Sequence, residues 1–225
     1  MSNGAQTRIA RSRTKVLAAA SDVFLREGYL AANMEQVASE AGVSIQTIYS
    51  HFKGKEALFL EVATHMAGGA ASAVSNSVEM LPRDTSVEEW LTHFASQQLK
   101  IVMTPTLMQL RRMVIGEVGR FPQLGRTLYE AGPGRAIARL TTLLEHYSER
   151  GEIAITNPER AAKQFNWLLM GGPTTEVMHL GDGAIPTEPE MRTQVHETVA
   201  VFLAAYGRDH ATGGRPDPQA DAFGE

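Results

Sequence analysis

The stretch NMEQVASEAGVSIQTIYSHFKGK, residues 33–55, decides the fold, because it predicts two short helices separated by a tight turn. Asn33 suits the N-cap of the first helix, and Gln36 stands three residues later, where a capping-box partner belongs. Gly42 allows the chain to leave this helix at a positive φ, and Ser44 can cap the helix that follows. Two helices joined by a glycine turn form a helix-turn-helix, whose second helix lies in the DNA major groove.

The second helix, from Ile45 to about Phe52, carries side chains that suit contact with bases. Apolar residues of this segment face inward, while Gln46, Thr47 and Ser50 are left for solvent or a partner. Glutamine pairs with the adenine edge, and the methyl groups of threonine and isoleucine contact the thymine methyl. Hydroxyl, imidazole and ammonium donors at the same end suit phosphate oxygens, and they belong to Ser44, Tyr49, His51 and Lys55.

Periodicity alone is equally compatible with three helices that pack together and never meet nucleic acid. On that interpretation Tyr49 is mainly a core ring and His51 is an ordinary surface residue.

The segment AGVSIQTIYSHFKGKEALF closely resembles the recognition segment of the tetracycline-repressor (TetR) family, and the match covers about residues 14–60. The resemblance implies a homodimeric, ligand-responsive transcriptional regulator. It implies base contacts from Ile45, Gln46 and Thr47, and phosphate contacts from Tyr49, His51 and Lys55. Where the family has threonine and then a hydroxyl residue before the first of these helices, this chain has Ala32 and Asn33. We therefore expect Asn33 to contact a phosphate, and we expect one hydroxyl contact of the family to be missing in this chain.

The charge is divided along the chain in a way that suits DNA at one end. The net charge is −4, but residues 1–60 carry seven Lys or Arg against five Asp or Glu, and the remainder carries fourteen against twenty. We expect residues 1–13 to form a flexible basic arm in which Arg11 and Arg13 follow phosphates. A solvated tail is the alternative.

Composition excludes several classes of protein. The chain has no cysteine, which excludes disulfides, thiolate zinc sites and cysteine nucleophiles. We identify neither a signal-peptide core nor an apolar stretch near 18 residues, and so expect a soluble cytoplasmic protein. The seven histidines never fall in an HExxH spacing, and GxSxG and phosphate-loop motifs are missing. A pair such as Arg111 with Glu117 could be combined into a catalytic site, but contact at the surface is the expected role of such pairs. We therefore expect neither an enzyme nor a cofactor.

The rest of the chain reads as helices, so the predicted fold is all-α with about nine or ten helices in total. A helix over residues 14–27, capped by Thr14 and stopped at Gly28, would brace the helix-turn-helix. Ser86 with Glu89 forms a capping box, and the segment Gly171-Gly172-Pro173 predicts a kink. The last helix should run from about Glu190 to Tyr206, and the predicted domains are a DNA-binding domain over 14–60, a regulatory and dimerisation domain over 61–206 and a disordered tail over 207–225.

The predicted regulatory domain combines large apolar and sulfur side chains with a few polar ones, which is how pockets for small organic molecules are built. Candidates for lining such a pocket are Met66, Trp90, Phe94, Gln97, Met108, Arg111, Phe121, Phe165 and Met170. Stripes of this kind are more commonly plain core. Residues of about 108–170 also resemble the C-terminal domain of the AefR-like branch of the same family.

The apolar faces of the last two helices exceed what one short neighbour could cover, so we expect a four-helix bundle between two copies. The candidates for this interface are Trp167, Val195, Val199, Phe202 and Tyr206. The expected partners are therefore a second copy, a double-stranded and palindromic DNA operator, and a small apolar or amphipathic effector that releases the DNA. The alternative is a helix-turn-helix regulator without an effector, which activates transcription or acts through a protein partner.

Overall fold

The structure, a computed structural model, describes residues 3–79, 81–82 and 84–207. These residues form ten α-helices and one isolated bridge between Ile153 and Gly207, so the predicted all-α class is confirmed. Helices α1 to α3, which we call the head, span Asn3–Ala31, Met34–Ala41 and Ile45–His51. Helix α4 (Lys55–Glu79) joins the head to the remaining helices. The predicted disordered tail lies outside the described residues from position 208 onward.

Helix α1 begins eleven residues earlier than the sequence predicts. Residues 5–13 contain no glycine or proline and are rich in arginine and alanine, which favour helix. Thr14 is consequently not a cap, and its Oγ1 donates to the carbonyl of Ala10 at 3.1 Å. Most of the predicted basic arm is therefore helical. The predicted interruption at Gly28 is confirmed, since this residue has φ 78° and ψ 168°.

The turn between α2 and α3 has the predicted form. Asn33 Oδ1 accepts a hydrogen bond from the Gln36 amide at 2.7 Å, which caps the start of α2. Gly42 ends α2 in the left-handed conformation at φ 64° and ψ 38°. The Ser44 hydroxyl then accepts from the Thr47 amide at 3.1 Å and caps α3. These local bonds fix the position of α3 against α2.

Helix α4 is apolar enough to resemble a membrane span. By length and composition alone, Lys55–Ser77 is long and apolar enough to cross a membrane, at a mean hydropathy of 1.2, contrary to the expectation from sequence. In the structure α4 packs against α1, α5 and α7. Over 18 residues of this stretch 33% are buried, among them Leu58, Phe59 and Val62, which lie in the interior of this fold.

The body consists of six helices after α4. They are α5 (Val87–Val102), α6 (Pro105–Glu117), α7 (Pro122–Ala131), α8 (Pro133–Glu149), α9 (Pro158–Leu180) and α10 (Glu188–Tyr206), with a 3₁₀ turn over Asp182–Ala184. The predicted capping box of Ser86 and Glu89 is present at the start of α5. Proline begins α6, α7, α8 and α9, where a missing N–H leaves no bond unmade.

Helix α9 continues through Pro173, where the sequence predicts a kink. Proline removes the N–H that would bond the carbonyl four residues earlier, which belongs to Leu169. Gln194 of α10 supplies the replacement, because its Nε2 donates to the carbonyls of Leu168 at 2.7 Å and Leu169 at 3.2 Å. A side chain from a neighbouring helix thus stabilises α9 at its proline.

Two apolar cores organise the described residues. The first, which we call the head core, centres on Phe24 and Ile48 of the head, but it also takes in Phe59 of α4, Leu110 of α6 and Leu124 of α7. The second fills the body and is built mainly from α5, α8, α9 and α10. Because body side chains complete the head core, the head and the body are packed against each other.

Candidate nucleic-acid interface and internal cavity

Helix α3 presents one polar face to solvent. Gln46, Tyr49 and Ser50 are exposed, and they follow one another at the three- and four-residue spacing that shares a helix face. Ile48, on the opposite side, is fully buried. Ile45, Thr47 and His51 are half-buried and border the exposed face. The seven-residue helix therefore offers a narrow polar surface on a rigid apolar base.

The hydroxyl groups of this region already make local hydrogen bonds. Ser44 and Thr47 share one at 2.9 Å between their hydroxyl oxygens, and the Ser50 hydroxyl donates to the Thr47 carbonyl at 2.7 Å. Among the described residues, Gln46 and Tyr49 have no such partner. Their polar groups are consequently the ones most available for a partner molecule.

Two residues that were predicted to bind phosphate, Lys55 and Arg13, already contact other groups of the protein. The Lys55 ammonium donates to the Leu30 carbonyl at 2.9 Å and lies 4.9 Å from the centre of the Tyr29 ring. Burial, helped by repulsion from Arg120, lowers the pKa of Lys55 below its ordinary value. Such contacts hold the end of α1 against the start of α4.

Arg13 is also engaged, through an ion pair with Glu61 and a position 5.4 Å above the Phe52 ring. Arg11, by contrast, is exposed on α1. Lys53 is exposed as well and lies two residues after the end of α3, yet it was not among the contacts predicted from the sequence. Its position inside the segment that resembles the family's recognition segment was the only available signal. Asn33 is exposed at the start of α2.

The body contains a cavity of about 600 Å³. Side chains of α4, α5, α6, α7, α8 and α9 line it. Of the residues predicted to line a pocket, four do so, namely Phe94, Met108, Arg111 and Met170. The exposed side chains of Ile115, Tyr129 and Trp167 also contribute, which puts them at its rim.

The other five predicted pocket residues lie elsewhere. Trp90 and Phe165 are in the body core, and Phe121 packs on Tyr29 at 5.2 Å between ring centres. Met66 accepts from the Ser21 hydroxyl at 3.2 Å. Gln97 is half-buried outside the cavity, and its neighbour lines the cavity instead.

Gln98 is 4% exposed, and its Nε2 donates to Asn166 Oδ1 at 3.0 Å across the cavity wall. The sequence stripe on α5 passed through Phe94 and then Gln97, three residues on. Gln98 is four residues on, which is equally compatible with one helix face. Tertiary packing decides between the two positions.

The predicted dimer interface requires correction. Val195 and Val199 are 4% exposed and belong to the body core, because α10 packs this stripe against α5 and α9 of the same chain. A shallow groove lies on the outer side of α9 and α10, with Trp167 and Tyr206 on its walls. Phe202, although 1% exposed, contributes to its lining. Leu168 and Val201, which the sequence reasoning missed, are 42% and 54% exposed there.

Comparison with known families gives two matches. Residues 16–62 match the tetR family of bacterial regulatory proteins. Residues 89–208 match the AefR-like transcriptional repressor, C-terminal domain. Together these matches cover the head from residue 16 onward, the start of α4 and nearly all of the body.

Among similar sequences, the HTH-type regulator YvkB of Bacillus subtilis is 26% identical over 201 residues, covering 87% of this chain and 97% of that protein. The HTH-type transcriptional activator FasR of Mycolicibacterium smegmatis is 39% identical over 66 residues, which are 29% of this chain and only 30% of that protein.

Solved structures agree with these matches. A TetR-family regulator from Mesorhizobium loti has a TM-score of 0.84 and 32% identity, covering 89% of this chain and 98% of that one. The flavonoid-responsive regulator FrrA has a TM-score of 0.72 and 29% identity, covering 88% of this chain and 98% of that one.

Proposed function

The chain belongs to the TetR family of DNA-binding transcriptional regulators, and we propose that it is a homodimeric repressor released from its operator by a small apolar or amphipathic molecule. The observation that carries this proposal is the 600 Å³ cavity in the body. Its volume falls within the range of pockets for small organic ligands, and its walls are mainly apolar. The named response of FrrA to flavonoids supports an organic effector of this size.

Helix α4 connects this cavity to the DNA-binding head. Leu58 and Phe59, near its start, belong to the head core. Ala67, Ala71 and Val74, two to four turns later, line the cavity. A ligand that fits one position of α4 better than another therefore changes the position of the head. We place the boundary between the two domains near residue 60, within this helix.

On the DNA side we propose that α3 enters the major groove. Gln46, Thr47, Ser50 and Ile45 then read bases, and Tyr49 and His51 contact phosphates. Contacts to the phosphates of the DNA backbone also come from Arg11, Ser44 and Asn33, which are exposed. Lys53 joins them, whereas Lys55 and Arg13 reach phosphate only by giving up their partners, which are the Leu30 carbonyl and Glu61.

A second copy is needed because one short helix reads only a few base pairs. Two heads about one helical turn apart, ~34–36 Å, would read the two halves of a palindrome. We propose that the groove of α9 and α10 is the dimer contact, so that Trp167, Leu168 and Val201 meet their counterparts in a four-helix bundle. This assembly would act in the cytoplasm, where the operator lies.

One observation favours a second function. FasR, which matches 66 residues of this chain, is named an activator, whereas the family match over residues 89–208 is to the C-terminal domain of a repressor. The same fold could therefore activate transcription, with or without an effector, or act through a protein partner. The position of the operator relative to the promoter distinguishes activation from repression.

The first experiment is selection from random duplex DNA at near-physiological salt, followed by sequencing of the retained pool. We expect an enriched palindrome with half-sites about one turn apart. The enriched duplex then serves as the probe for screening small organic molecules, flavonoids included, for loss of binding. Salt-sensitive binding without an enriched sequence would contradict a specific operator, and an operator that no ligand releases would favour the second function.

A further inference from the structure

The fixed charges on the cavity wall all have one sign. Arg111, Arg135 and Arg139 line the cavity, and none of the described lining residues is acidic. This arrangement contrasts with the net charge of −4 of the whole chain. Low-dielectric walls strengthen the field of such charges inside a cavity. A positive potential therefore favours an anionic over a cationic occupant.

Arg111 is the cavity arginine with the strongest need for a partner. The side chain is half-buried, and it makes no hydrogen bond or ion pair with the described residues. Burial lowers the pKa of its guanidinium below the ordinary value. Arg112, the next residue along α6, shows the usual alternative, since it pairs with Asp182 at 2.5 Å and donates to the Val177 carbonyl at 3.3 Å.

An arginine remains charged in a protein, and a buried charge without a partner is unfavourable. The planar guanidinium can hold both oxygens of a carboxylate. An anionic group at this position would therefore relieve that penalty.

Two further polar atoms in the wall lack partners. Gln98 Oε1 and Thr174 Oγ1 are buried and accept or donate no hydrogen bond. Both residues line the cavity. The Gln98 oxygen is an acceptor only, so it requires an O–H or N–H from the occupant. The remaining wall near Phe94, Met108 and Met170 is apolar.

We propose that the effector is an organic carboxylate with an apolar body and a hydroxyl or N–H donor, and that Arg111 binds its carboxylate. This inference rests on the proposed function, because it names the chemical class of the ligand for the same cavity. An uncharged ligand would leave Arg111 unpaired. A cationic ligand would in addition face the repulsion of Arg111 and Arg135.

The test is calorimetric titration of the purified full chain with aryl and acyl carboxylates that also carry a hydroxyl group, including hydroxyphenylbutyrate, hydroxynaphthylacetate and hydroxydecanoate, each paired with its carboxamide. Hydrogen bonds to charged groups are stronger than neutral ones, so carboxylates should bind about 10- to 100-fold more tightly than their carboxamides. Arg111→Gln should remove most of this preference, because it removes the carboxylate's direct partner and leaves only the potential of the other cavity arginines. The matched control is Arg126→Gln, which removes the same charge from an exposed position on α7 outside the cavity lining and should keep the preference.

Two further variants guard against misfolding. Arg111→Lys keeps the charge, so it should still prefer carboxylates over carboxamides while binding them more weakly. Arg111→Met removes an unpartnered cation, so it should raise the melting temperature of the ligand-free protein while losing carboxylate binding. Equal binding of carboxamides, a preference that Arg111→Gln leaves undiminished, or a panel in which no carboxylate binds would overturn the inference.

Failure of this inference is distinguishable from failure of the proposed function, because binding is measured without DNA. A carboxylate that binds through Arg111 but leaves operator affinity unchanged would uphold the inference and contradict release by ligand. Release of the operator by uncharged molecules, with carboxylates failing to bind, would uphold release by ligand and overturn the inference.

Discussion

Replacement of Gly42, the glycine in the turn between α2 and α3, should destabilise the protein through the conformation of its backbone alone. Gly42 has φ 64° and ψ 38°, a conformation that costs a residue with a Cβ about 1–2 kcal/mol. A Cβ added at this position would have nothing within 4 Å. No steric contact therefore adds to or offsets the backbone term. Gly42→Ala should lower the free energy of unfolding by about 1–2 kcal/mol.

Gly69 provides a matched control for the same added methyl group. It lies in the middle of α4, is exposed, and would likewise place a Cβ with nothing within 4 Å. Its backbone is helical, where alanine is favoured over glycine by about 0.5–1 kcal/mol. Gly69→Ala should therefore raise the free energy of unfolding by about that amount. The two variants differ in sign although the chemical change is identical.

Urea unfolding followed by circular dichroism, at one fixed protein concentration, would measure both changes. Because Gly42 also sets the angle between α2 and α3, Gly42→Ala should weaken operator binding in conditions where the protein remains folded. Gly69→Ala should leave operator affinity unchanged in the absence of ligand. A Gly42→Ala variant as stable as the wild type, or a shift of both variants in the same direction, would refute the reasoning.

Four further predictions concern the DNA face, the groove and α9. Gln46→Ala should change the preferred base pair by about 1–3 kcal/mol in competition binding, and a uniform loss over all sequences would contradict base reading. Lys53→Ala should weaken all sequences alike and reduce the slope of log affinity against log salt by about 1; an unchanged slope would remove it from the phosphate contacts. Val201→Asp should shift sedimentation from dimer to monomer, and an intact dimer would place the contact elsewhere. Gln194→Leu should lower the free energy of unfolding by about 1–3 kcal/mol. The loss should be smaller in a Pro173→Ala background, which restores the missing backbone N–H; equal losses in the two backgrounds would contradict the role of Gln194 as the replacement donor.

The helix-turn-helix could be predicted because its determinants are local. The Asn33 cap, the left-handed Gly42 and the Ser44 cap each act within four residues of their own position. Local hydrogen bonds and backbone preferences suffice to choose these conformations. The same holds for the capping box at Ser86, which begins α5 at the predicted place. Sequence reasoning is strongest where the partner of a residue is a near neighbour in the chain.

The dimer face could not be predicted in the same way. An apolar stripe on α10 shows that something covers it, but not whether the cover is the same chain or another copy. The structure covers Val195 and Val199 with α5 and α9 and leaves Trp167 and Val201 exposed. In the sequence, the exposed apolar residues of α9 are indicated only because this helix has more apolar residues than one of its faces can carry. Their assignment required the packing of helices far apart in sequence.

The role of Lys55 illustrates another limit. The family pattern assigns this lysine to phosphate, while the structure places its ammonium on the Leu30 carbonyl and beside the Tyr29 ring. Both partners lie about 25 positions earlier, across the helix-turn-helix, so no local signal reveals them. Exposed Lys53 carries the same charge without those contacts.

Helix α6 gives the shortest physical connection between ligand and DNA. Gln109 donates to the Leu25 carbonyl of α1 at 2.5 Å, and Leu110 lies in the head core. Met108 and Arg111, their immediate neighbours, line the cavity. A carboxylate bound at Arg111 would thus act on a helix that contacts the head within one turn, so coupling needs no long chain of intermediates. Because coupling is reciprocal, operator DNA must weaken binding of the releasing ligand by the factor by which that ligand weakens operator binding, typically 5- to 150-fold for about 1–3 kcal/mol.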